Sequence, residues 1–156
     1  MFTKTMFDTL FAYHWHTTQQ LLEKAKNLSE ADLFDNPGYA HGSIFDLFFH
    51  LLQTDMSWRK RLETGQQQSG VEKEIYPDLA ALEAGFAMEK RGWQLHLNRY
   101  TGEDIEGSID LVTWRGDEVT FPLWHILQHV VFHGMQHHAE LAQLLTTKGQ
   151  SPGNID

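Results

Sequence analysis

Apolar residues recur along the chain at helical spacing in four blocks, separated by breaks that carry proline and glycine. From Phe2 to about Asn27 the positions Phe7, Leu10, Phe11, Leu21 and Leu22 form one stripe uninterrupted by proline or glycine, which predicts a first helix. Leu28-Ser29-Glu30-Ala31-Asp32 reads as a capped turn running into Asn36-Pro37-Gly38, where a helix cannot continue. Ser43 suits the N-cap of a second helix, with Asp46 placed to accept from the unpaired backbone donors of its first turn. The stripe Ile44, Leu47, Phe48, Leu51 and Trp58 carries this helix to about Gly65. Beyond the polar crossing Gln66 to Gly70, Pro77 opens a third helix bearing Leu79, Leu82, Phe86, Trp93 and Leu97 to about Tyr100, with Gly85 and Gly92 as tolerated weak points. Ile105 to Thr113 and Glu118 to Phe121 flank Arg115-Gly116-Asp117 and predict a short β-hairpin. Pro122 then begins the fourth helix, which ends before Gly149 and Pro152.

Four long helices with one short insert make an all-α four-helix bundle the natural architecture. The 156 residues suit a single domain spanning 1–156 that buries a sizeable core. No apolar run reaches the length of a membrane span and no signal peptide is legible at the start, so the expected setting is the cytoplasm. A net charge of −9 argues against a general nucleic-acid binder, which needs a basic face to neutralise phosphates. The one basic run, Arg59-Lys60-Arg61, reads as the solvated end of a helix.

The fourth helix adds chemistry to this plan. Its segment FPLWHILQHVVFHGMQHHAELAQLL places His125, His129, His133 and His137 at four-residue intervals. Neighbours of that spacing share a helix face, and two neutral imidazoles so placed can reach one metal ion. The face drifts by about 40° per step, so only two or three of the four can converge. A histidine stripe can equally be structural, each ring half-buried and hydrogen-bonded, and a third ligand from another helix is what separates the two readings.

That third group is His50. If the second and fourth helices run antiparallel, His50, about 10 Å from the start of its helix, lies level with a point some ten residues from the end of the fourth. His133 and His137 sit at that level and His125 does not, so the candidate metal ligands are His50, His133 and His137, with His129 one turn away as a supporting or core residue. His14, His16, His41, His96 and His138 have no such alignment and read as surface or core. The chain has no cysteine, so only nitrogen and oxygen ligands remain, and neither the paired Glu-x-x-His of di-iron bundles nor HExxH is present. Three neutral ligands leave the ion its full charge and at least one open position.

At these residues the chain resembles the DinB/YfiT-like superfamily of bacterial four-helix-bundle proteins. GSIFDLFFHLLQTDMSW around His50, WHILQHVVFHGMQHHAELAQLL around His133 and His137, and the closing GQSPGNID carry the resemblance, with a weaker match at LFAYHWHTTQQLL. It implies an up-down-down-up bundle, a divalent metal on His50, His133 and His137, and a homodimer. It also implies, for some relatives, thiol-dependent transfer chemistry with low-molecular-weight thiols. His138 stands where the family often has arginine, Phe132 where it often has asparagine before the ligand, and His16 where tryptophan is expected.

The functional expectation is a metal-dependent enzyme acting on a small-molecule substrate. Its ion, zinc, nickel or iron, activates a low-molecular-weight thiol for S-transfer, or water in a metal-dependent hydrolase. The rivals are a non-catalytic metal-binding stress protein, with the site closed by a fourth protein ligand, and a structural bundle without metal. Trp58, Tyr13 and Trp124 are candidate cleft walls. Protons should compete with the metal below the ordinary imidazole pKa of about 6.5.

Overall fold

The computed structural model describes residues 2–38 and 41–155. The helices are α1 (Lys4–Ala25), α2 (Glu30–Leu33), α3 (Ile44–Thr64), α4 (Leu79–Leu97), α5 (Gly102–Glu106) and α6 (Leu123–Thr147), and β1 (Ser108–Val112) pairs with β2 (Glu118–Pro122) between α5 and α6. Among the described residues no helix is long and apolar enough to cross a membrane.

Local chemistry sets the ends. The Ser43 hydroxyl accepts from the Asp46 amide while the Asp46 carboxylate accepts from the Ser43 amide, a reciprocal cap that starts α3 where the sequence predicts it. Gly65, in the left-handed conformation at φ 71°, stops the same helix. Asp78, not Pro77, caps α4. The turn at Ser29 becomes the one-turn helix α2, with the Ser29 hydroxyl accepting from Asp32. The predicted hairpin forms, but Ile105 lies in α5 ahead of it, because Thr101 and Asp104 make a second reciprocal cap that holds Gly102–Glu106 helical.

The long helices α1, α3, α4 and α6 form an up-down-down-up four-helix bundle. Phe2 stacks on Trp124 and Thr18 bonds His138, so α1 and α6 run parallel. Gly85 lies against Leu52 and Gly92 against Arg59, so α3 and α4 also run parallel. His50 faces His137 while Trp58 faces His129, so α3 and α6 are antiparallel. Phe7, Phe11, Leu21, Phe45, Leu47, Phe48, Leu51, Leu82, Trp93, Leu127, Val131 and Leu141 fill the centre.

Two readings of the sequence change here. Gly85 and Gly92 are close-packing positions: a Cβ would lie 2.7 Å from Leu52 Cδ2 at the first and 2.6 Å from Arg59 Nε at the second. Arg59 and Arg61 are ties between elements. Arg59 donates from Nε and Nη2 to the buried Glu89 of α4 at 2.6 and 2.8 Å, and Arg61 donates to the Val112 carbonyl of β1 at 2.8 Å. The Arg61 guanidinium also covers the Trp58 ring.

The interior holds a polar layer. The His14 imidazole of α1 donates from Nε2 to Asp55 of α3 at 2.9 Å, and His138 of α6 lies within 2.8 Å of the Thr18 hydroxyl, all four side chains buried. Burial, with His14 beside it, pushes the His138 imidazole down to about 3. The His14 ring fits only because Gly134 has no side chain, since a Cβ there would sit 2.3 Å from His14 Nδ1.

Gly134→Ala is therefore expected to lose about 2 kcal/mol in urea unfolding, the overpacking penalty exceeding the helix-propensity gain, and Gly134→Ala/His14→Ala should recover part of it. The depressed His138 makes the unfolded chain bind a proton that the native chain does not, so metal-free protein should lose stability as pH falls from about 6.5 toward about 3. In His138→Gln the dependence of unfolding free energy on pH between 6 and 4 should be shallower by about 1.4 kcal/mol per pH unit, one proton's worth.

Candidate metal centre

Antiparallel packing of α3 on α6 places His50 opposite the turn that carries His133 and His137. The three rings converge, with centroid separations of 5.3 Å for His50 and His133, 4.9 Å for His50 and His137, and 4.3 Å for His133 and His137. Nε2 of His133 lies 3.0 Å from Nε2 of His137. The opposite nitrogen of His137, Nδ1, donates to the Glu140 carboxylate at 2.7 Å, which fixes the tautomer and leaves the lone pair on Nε2.

Two of the three rings resist protonation. His133 is pushed down to about 3 and His50 to about 4, in both cases first by burial and then by neighbouring imidazoles. Two neutral nitrogens 3.0 Å apart have no favourable arrangement of their own except one ring donating to the other, yet both can contact a cation about 2.1 Å from each. His133 Nδ1 is buried without a protein partner. Imidazole donors of this kind suit a divalent ion, and the three whose ligand atoms all lie within 4.8 Å of one another among the described residues are His41, His50 and His137, while His133 approaches His137 alone this closely.

One residue of this cluster has no counterpart in the helical pattern. His41, read from sequence as surface or core, is exposed on the turn before α3, yet its ring stacks on His50 at 3.8 Å and 11° and stands edge-on to His137 at 4.9 Å. Nitrogens of His41, His50 and His137 all lie within 4.8 Å of one another. The local signal was the Gly42 that follows it, which takes φ 100° and turns the chain into the Ser43 cap.

The remaining histidines separate as follows. His129 is exposed, one turn from His133 with ring centroids 6.2 Å apart, and it packs on Trp58 at 5.3 Å rather than entering the core. His125 lies at the far end beside Phe121. His96 is buried and bonds the Tyr100 hydroxyl, and His16 is exposed. Of the candidate cleft walls Trp58 packs on His129, along the groove from the cluster. Tyr13 donates to the Ile155 carbonyl and Trp124 stacks on Phe2. A cavity of about 660 Å³ between α1 and α4 is lined by other residues, among them Phe11, Trp15, Lys90 and Arg91.

Comparison with known proteins bears on the fold and the family. No curated protein matches the sequence. Two solved structures from Bacillus subtilis share its fold. YfiT, described as a probable metal-dependent hydrolase with an unusual four-helix-bundle topology, superposes with a TM-score of 0.73 at 16% identity over 97% of this chain and 92% of its own. The DinB-like protein YjoA does so with a TM-score of 0.66 at 16% identity over 92% of this chain and 94% of its own. The sequence model of the DinB family matches residues 1–156, so the chain that carries this imidazole cluster belongs to the DinB family.

Proposed function

We propose that this chain is a metal-dependent enzyme in which His50, His133 and His137 hold one divalent ion. The observation that carries the reading is the 3.0 Å approach of the His133 and His137 Nε2 atoms beside His50, with Glu140 fixing the His137 ring from behind. A dication held there lowers the pKa of a small nucleophile and polarises its electrophile. The chain's own part is to bring three imidazoles from two antiparallel helices together and to disfavour the protonated forms of His50 and His133 by burial.

Water is the nucleophile that asks least of such a site, which makes hydrolysis the first reaction class. The hydrolase description of YfiT agrees with it. A low-molecular-weight thiol is the second, favoured by the absence of any cysteine that could compete for the ion. His41 decides between catalysis and storage, because a fourth protein ligand closes a site and an open position marks a reactive one. The pairing of two chains remains a proposal beside this one, supported by the exposed Met88 and Leu95 on α4.

His50→Ala, His133→Ala and His137→Ala should each abolish stoichiometric binding of zinc or cobalt measured by elemental analysis, whereas His41→Ala and His125→Ala should retain it. Full occupancy in the His50 variant would defeat the triad. Because His50 and His133 are depressed to about 4 and about 3, metal should also be released at lower pH than the 6.5 of free imidazole. Cobalt-loaded protein distinguishes the reaction classes: a sulfur-to-cobalt charge-transfer band on adding bacillithiol, mycothiol or glutathione supports transfer, and its absence leaves hydrolysis. A change on adding azide that occurs only in His41→Ala would mean that His41 closes the site, and the enzymatic reading would fall.

A further inference from the structure

His50, Thr54 and Trp58 follow one another at four-residue spacing on α3, and His137, His133, His129 and His125 descend α6 beside them in the opposite direction. The pairs His50 with His137 and Trp58 with His129 place these two rows along one groove. Its far end opens into a cavity of about 190 Å³ lined by Trp58, Phe121, His125, Ile126 and His129. Phe121 comes from β2, and the hairpin is pinned against the end of α3 by the Val112 amide on the Gly65 carbonyl at 2.9 Å and by Arg61 on the Val112 carbonyl. The guanidinium of Arg61 lies 5.0 Å over Trp58 and holds that wall in place. The hairpin therefore closes the groove with an aromatic end.

We propose that this cavity receives an uncharged, single-ring or comparably small apolar portion of a substrate whose reactive group lies at the imidazole cluster. The inference rests on the metal-centre reading for the reactive end but on the cavity alone for the apolar end. Three observations select this occupant. The lining has no carboxylate, ammonium or guanidinium, and partial burial of the otherwise exposed His129 lowers its imidazole, with His125 adding to the effect. The volume is of the order that holds one benzene ring, for which an apolar cavity of about 150 Å³ suffices. Its middle, between His125 and His129, lies about six residues along α6 from His133, or about 9 Å, a span that a short linker crosses.

Two measurements test it. In metal-free, nitrogen-15-labelled protein, benzyl alcohol should shift the Trp58 indole N–H resonance saturably while methanol does not, and Phe121→Ala should weaken the effect. His125→Glu, which places a charge at the exposed lip without touching the core, should weaken it too. In cobalt-loaded protein a series of hydroxamates carrying a phenyl group on linkers of increasing length should bind more tightly than acetohydroxamate, by about tenfold or more at the length that spans the groove. That gain should vanish in His125→Glu. Equal affinity across the series, with acetohydroxamate bound, would overturn the pocket and leave the metal centre standing. Benzyl alcohol binding with no hydroxamate bound would remove the metal centre and leave the pocket. No saturable indole shift in metal-free protein would overturn the pocket whatever the metal does.

Discussion

The close approach of α1, α3 and α6 around His14 is the constraint on which the rest of this molecule depends. His14 donates to Asp55 across the α1 and α3 interface, in space that exists because Gly134 of α6 carries no Cβ. Gly134 follows His133, and the same turn also contains His137 and His138. One helical turn thus has two faces. His138 bonds Thr18 on the bundle interior, and His133 and His137 point toward His50 on the groove side. The contact that sets helix spacing at the bundle's centre also sets where the imidazoles of the cluster stand between α3 and α6. A loosened interior would therefore move the site.

The parts of this arrangement legible in the sequence are those written in local pattern. The Ser43 and Asp46 cap, the Gly65 stop and the four-residue histidine interval each depend on residues within a turn or two of one another. The convergence of His50 on His133 and His137 followed from adding one assumption, the antiparallel placement of two helices. What stayed hidden depends on contacts distant in sequence. His41 belongs to no helical face and reaches His50 through a turn. Arg59 reads as a solvated cation until α4 brings the buried Glu89 against it, and Gly85 and Gly92 read as weak points until Leu52, Tyr76 and Arg59 occupy the space beside them. The short α5 was overlooked because its five residues carry no periodicity, although the Thr101 and Asp104 pair that caps it was visible.

The insert between α5 and α6 acquires a purpose from its attachments. A two-stranded hairpin is marginal alone, and this one is held by Leu111 buried in the core, by Arg61 and by the Gly65 carbonyl. Both anchors sit at the end of α3, so the glycine that stops this helix also supplies the acceptor that docks the strand. The result brings Phe121 against His125 and the Trp58 pocket, at the opposite end of the groove from the imidazole cluster.

Electrostatics completes the picture. The chain carries a net charge of −9, yet among the described residues around the imidazole cluster the carboxylate that touches it is Glu140, which accepts from the outer nitrogen of His137 and not from the side that faces His133. Its effect is to fix the orientation and tautomer of the His137 ring without entering the cluster itself. The remaining influences on His50 and His133 are burial first and then neighbouring imidazoles, His41 and His137 among them, and both disfavour the imidazolium. An arrangement that expels protons from two rings, orients a third and places their lone pairs together is unfavourable for an apolar core and for a proton alike. It is favourable for a cation that binds neutral nitrogen, and with three imidazoles and no carboxylate as ligands such a cation would keep its full charge available to polarise whatever enters from the groove.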